Sequence, residues 1–135
     1  MWNLLVKKRK QLNLGAIVLW LLGIVYACVT PNEQMPDVHF FEGFDKLMHF
    51  AFYFVLIILL LIYRLQQDWR TWVVGLMIIL VSMFGIGIEF LQRFLEGGRS
   101  FSVADMLANN LGLIVGLSVY FCMESVLENY LKTNI

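Results

Sequence analysis

The chain has 135 residues, of which 60% are hydrophobic and 15% charged, and its formal net charge is zero. Mean hydropathy is +0.75, whereas an average soluble domain is about 45–50% apolar and about 25% charged. This composition argues against a soluble domain, and with basic residues that form no broad patch it argues against nucleic acid as a partner.

Residues 1–11 are basic, with Lys7, Lys8, Arg9 and Lys10 in a row, and precede an apolar run over 12–29. The run is long for the apolar core of a signal peptide and no small-residue cleavage site follows it. Val25-Tyr26-Ala27-Cys28 only faintly resembles a lipoprotein site, so a retained membrane helix is expected. Residues 30–44 contain both prolines and the acids Glu33, Asp37 and Glu42, which reads as a loop with an aromatic turn at Phe40, Phe41 and Phe44. Further helices are expected over about 45–63, 71–92 and 103–123, with a polar cytoplasmic tail over 124–135. Each run matches the roughly 20 residues that cross about 30 Å of hydrocarbon. The short connections predict an all-α, compact antiparallel bundle of four transmembrane helices.

With the N-terminus inside, Lys7, Lys8, Arg9, Lys10, Arg64, Arg70 and Lys132 lie on the inner side, and Lys46, Arg93 and Arg99 on the outer. This bias places both termini in the cytoplasm. Cys28 and Cys122 then lie near opposite faces, and a disulfide between them is not expected. Phe50, Phe52, Phe54, Trp69 and Trp72 read as lipid-facing or interfacial anchors.

The polar residues inside these runs are few and share one membrane level. Asp45, His49 and Tyr53 recur every four residues on the second helix. Ser82, Gly85, Glu89 and Gln92 form a stripe on the third, and Asp105, Asn109, Gly112 and Gly116 a stripe on the fourth. Residues three and four apart are helix neighbours, and small residues let membrane helices approach closely. Ionisable groups in such segments are costly and by default mark a site or a paired network. The three stripes predict a polar pocket open to the outer leaflet.

The segments DKLMHFAFY (45–53), IEFLQRFLEGGRSFSVAD (88–105) and NNLGLIVG (109–116) resemble the signature of VanZ-like membrane proteins. In that family an Asp and a His open one helix and a Glu-x-x-Gln closes the next. An Arg then precedes a helix carrying Asp-(x)3-Asn-(x)2-Gly. The likeness covers roughly residues 12–121. One departure is Gly97-Gly98, where the family often has a proline before the motif arginine, here Arg99. The family takes its name from a teicoplanin-resistance protein. The resemblance therefore implies a fold, a site and a setting in the cell envelope that includes glycopeptide resistance, without supplying a reaction.

Candidate ligand-binding residues are Asp45, His49, Glu89, Gln92, Arg99, Asp105 and Asn109, and His49 and Glu89 are also the candidate acid–base groups. His49 titrates near neutrality when unperturbed, or is a structural histidine bonded to a carboxylate. Glu89 is a base or cation ligand, or the ion-pair partner of Arg93 or Arg99. Gln92 and Asn109 orient a headgroup or join helices. Arg99 suits phosphate or carboxylate, and Asp105 is a site residue or the cap of the fourth helix. Arg93 and Lys46 can simply snorkel to the headgroups. No metal-ligand spacing is present, and no cofactor is expected.

Two functions compete. One is a non-catalytic module that binds a lipid headgroup, a lipid-linked cell-wall precursor or a glycopeptide. The other is a small intramembrane enzyme acting on a lipid phosphate or carboxyl group. Ser100 and Ser102 stand in no nucleophile motif, which favours the module. The near absence of acids and bases over 56–62 and 114–121 argues against ion conduction. Oligomeric state is not legible.

Overall fold

The computed structural model describes residues 2–30, 43–67, 70–95 and 102–134. They form four helices, α1 (Trp2–Val29), α2 (Phe44–Gln67), α3 (Trp72–Leu95) and α4 (Val103–Asn134). All four are long and apolar enough to cross a membrane. Large apolar side chains such as Leu19, Ile79, Met83, Phe94 and Leu111 point outward, as a lipid-facing surface requires. The protein is a multi-pass, all-helical membrane bundle. No disulfide joins Cys28 and Cys122.

Two helices overrun the apolar segments. α1 is already helical at Trp2 and α4 continues to Asn134, because Lys, Arg, Gln, Glu and Leu are good helix formers. Hydropathy marks where the membrane ends; it does not mark where a helix ends.

The helices alternate in direction, yet the dominant packing is between α2 and α4, which run parallel. Gly112 and Gly116 make this possible. A Cβ added at Gly112 would collide with the carbonyl oxygen of Phe50, and one at Gly116 would collide with Ile57 Cγ2 and lie 3.0 Å from the carbonyl oxygen of Phe54. The two backbones touch where only glycine fits, as in small-xxx-small membrane interfaces.

α1 lies along α2 in the opposite direction. Lys10 Nζ donates to Gln67 Oε1 at 3.4 Å, Asn13 Nδ2 to the Leu59 carbonyl at 3.3 Å, and Trp20 Nε1 to the Phe52 carbonyl at 3.0 Å. Phe52 is thus no lipid anchor: its ring meets Trp20 edge-on and packs on the core. That core is apolar through the middle of the bundle, with Leu56, Ile57, Leu61, Val81 and Leu113 almost fully buried.

Replacing Gly112 by alanine is expected to force α2 and α4 apart at a cost of about 1–3 kcal/mol, the usual penalty of overpacking. Gly87, where an added Cβ meets nothing within 4 Å, should accept alanine without loss. Thermal unfolding of both variants in the same detergent checks the contrast.

Candidate functional site

One end of the bundle collects polar side chains from three helices. From α2 come His49 and, a turn deeper, Tyr53; from α3, Glu89 and Gln92; from α4, Asp105 and Asn109. All are at least nine-tenths buried, with Asp105 at 1% exposure and Glu89 at 3%. The helical spacing explains this: each pair lies three or four residues apart on the face turned to the other helices.

Asn109 Oδ1 lies 3.1 Å from His49 Nδ1. An amide oxygen only accepts, so this contact puts a proton on Nδ1. The other ring nitrogen, Nε2, faces Asp105 Oδ2 at 3.9 Å. Asp105 also meets Lys46 Nζ at 3.9 Å, and Lys46 pairs with Asp45 at 3.0 Å. Lys46 is therefore engaged at the rim of the site rather than merely reaching for headgroups. Asp45 is the expected site residue that does not enter the pocket: its side chain is 44% exposed. Residues four apart advance about 400°, so Asp45 has drifted about 80° from Tyr53 around α2.

Glu89 Oε1 accepts the backbone N–H of Ser102 at 2.6 Å, and Ser102 Oγ accepts the N–H of Asp105 at 3.2 Å. Ser102 is thus the N-cap of α4. That leaves the Asp105 carboxylate turned inward, and it makes Ser102 a structural group in place of a nucleophile. Arg99, with Gly97, Gly98 and Ser100, lies outside the described residues. Arg93 is exposed in the last turn of α3.

Three buried oxygens here have no hydrogen-bond partner among the described residues: Glu89 Oε2, Gln92 Oε1 and Tyr53 Oη. Tyr53 also borders a cavity of about 10 Å³ shared with Ser82, Gly85 and Asn109, space for about one water. Among the described charged groups at this end, the carboxylates Asp45, Glu89 and Asp105 outnumber the cations Lys46 and Arg93. The site is rich in acceptors. No group of three His, Cys, Asp or Glu side chains converges to hold a metal ion among the described residues.

A second polar cluster, at the opposite end, was not singled out by the sequence pattern. Arg64 Nη1 donates to Glu124 Oε1 at 3.1 Å and to Tyr120 Oη at 3.5 Å, and Nη2 reaches Thr71 Oγ1 at 3.4 Å. Tyr120 Oη itself donates to Glu124 Oε1 at 3.2 Å. Arg64 read as a topology signal and Glu124 as the start of a polar tail. Only the parallel contact of α2 with α4 makes them partners. Between the two clusters the buried side chains are apolar, so no polar path joins the ends among the described residues.

Among known proteins, a family model described as VanZ/LLP1 aligns with residues 8–124. Neither the curated proteins nor the solved structures contain a match to the chain.

An unpartnered buried amide oxygen costs about 1–3 kcal/mol. Gln92→Met, which keeps the length and removes that oxygen, is therefore expected to unfold at a temperature equal to or above that of the parent, as measured by circular dichroism in detergent. A clear loss of stability would mean that Gln92 makes a bond essential to the fold.

Proposed function

The chain belongs to the VanZ/LLP1 family, and on that premise we propose that it is a non-catalytic envelope module whose polar pocket binds a membrane headgroup. The ligand class is a polar lipid headgroup or a lipid-linked cell-wall precursor, with glycopeptide resistance as one setting in which such binding acts. The protein would sit in a bacterial-type cytoplasmic membrane with both termini inside, as the bias of basic residues favours. The pocket would then open to the outer leaflet.

One observation carries this reading. Glu89 Oε2 and Gln92 Oε1 are buried acceptors without a partner among the described residues, near the end of the apolar span of α3, where the proposed topology would put headgroups. Such groups persist where a ligand completes them. Because the free atoms accept, the matching ligand atoms donate: sugar or glycerol hydroxyls, amide N–H groups or an ammonium. Lys46 at the rim suits the phosphate that accompanies such groups in lipids. Arg99, which precedes the fourth helix in the sequence, suits the same anion by its guanidinium chemistry.

A second reading rests on His49. With Nδ1 held by Asn109 and Nε2 turned toward the Asp105 carboxylate, the imidazole is oriented as a general acid–base group is. Ser102 is tied up as the cap of α4 and stands in no nucleophile motif, so binding is the reading preferred.

Native mass spectrometry of protein released gently from membranes tests both. The wild type is expected to retain an adduct of defined mass that Gln92→Met and Glu89→Ala lose, while Arg99→Ala weakens it. An adduct equally retained by all three variants, or none in the wild type, overturns the binding reading. Conversion of the adduct to a new mass that His49→Gln abolishes puts the enzyme first.

A further inference from the structure

A separate groove lies at the other end of the bundle. α1 rests on α2 and α3 and makes no packing contact with α4 among the described residues. The gap between α1 and α4, floored by the last turns of α2, is a lateral groove of about 370 Å³. Small-ligand sites typically measure about 300–1,000 Å³.

Its lining changes character along its length. Leu12, Ile62, Leu65 and Leu127 make an apolar trough, while Arg9, Gln66 and Tyr130 stand along its polar margin. Asn13 also lines it, but its amide already donates to the Leu59 carbonyl. Gln66 Oε1 is buried and has no hydrogen-bond partner among the described residues. Arg9 is exposed at the mouth, and Lys10 reaches Gln67 instead.

We propose that this groove is a binding site for one anionic phospholipid whose headgroup carries hydroxyls. The trough takes the upper part of an acyl chain, because in a bilayer an open apolar groove fills with hydrocarbon. Arg9 pairs with the phosphate, a charge-assisted contact. A headgroup hydroxyl donates to Gln66 Oε1, which a choline headgroup has no proton to satisfy. Basic residues at a membrane surface draw anionic lipid by about 1 kcal/mol each, and the groove converts that general attraction into a defined seat. The site is independent of the pocket at the opposite end and does not rest on its proposed role.

The test uses the full chain in detergent, titrated with dioleoyl-phosphatidylglycerol or dioleoyl-phosphatidylcholine and read by native mass spectrometry. One phosphatidylglycerol per chain whose retention depends on Arg9 is expected to bind in preference to phosphatidylcholine. Arg9→Gln should weaken it by about tenfold or more, as loss of a hydrogen bond to a charged group predicts. Gln66→Leu should narrow the preference between the two lipids while keeping the acyl contact. Ile79→Ala, on the lipid-facing side of α3 and in neither site, should leave this binding unchanged. Equal binding of the two lipids, insensitivity to Arg9→Gln, or loss in Ile79→Ala alone would each overturn the assignment. So would a lipid-free dimer that closes the groove. Arg9 lies on an exposed helical turn, so its variant is not expected to fail by misfolding, and a circular dichroism melt of each variant verifies that.

Discussion

In a bilayer the hydrocarbon tails are as apolar as leucine, so helices gain little by burying apolar surface against each other and must hold together by close packing and polar contacts. Here that requirement is met where α2 and α4 touch at Gly112 and Gly116, with no side chain between the backbones. Because the two helices run parallel, the contact sets the same register over their whole length. It puts Asn109 beside His49 at one end and Glu124 beside Arg64 at the other. The neighbouring helices complete what this pair begins: α3 adds Glu89 and Gln92, and α1 leans on α2 through side chains that donate to its carbonyls.

The two polar ends obey the same electrostatic rule with opposite results. A buried charge is tolerable only when it is paired and hydrogen-bonded. At the end that bears Arg64 this is achieved within the chain, since the guanidinium reaches a carboxylate and two hydroxyls. That cluster is closed and structural. At the other end Glu89 satisfies one oxygen on the α4 cap, while its second oxygen and the Gln92 carbonyl have no partner among the described residues. The contrast between a closed network and an open one, in the same fold, is what distinguishes a fastening from the proposed site.

Much of the open end was legible in the residues. Three- and four-residue spacing put Glu89 with Gln92 and Asp105 with Asn109 on shared faces, and polar groups within apolar runs had nowhere to go but inward. The same rule misjudged Asp45, which sits in the first turn of α2 and has rotated out to meet Lys46. It also left open whether Asp105 caps α4. Ser102 does so instead, because a cap needs its oxygen just ahead of the first free N–H groups. Arg64 and Glu124 were invisible as a pair, since nothing local relates residues on helices that are not consecutive in the chain.

The sequence by itself determined that four helices cross a membrane, which faces carry polar groups, and which family the chain resembles. These follow from hydropathy and helical period, which act over a few turns. Only the tertiary structure decided that α2 packs on α4 rather than chiefly on its sequence neighbours, that the polar ends are unequal in satisfaction, and that α1 stands away from α4 to leave a groove. Those outcomes depend on distances between backbones, set by where glycine lets two helices meet, and no pattern along a single helix encodes them.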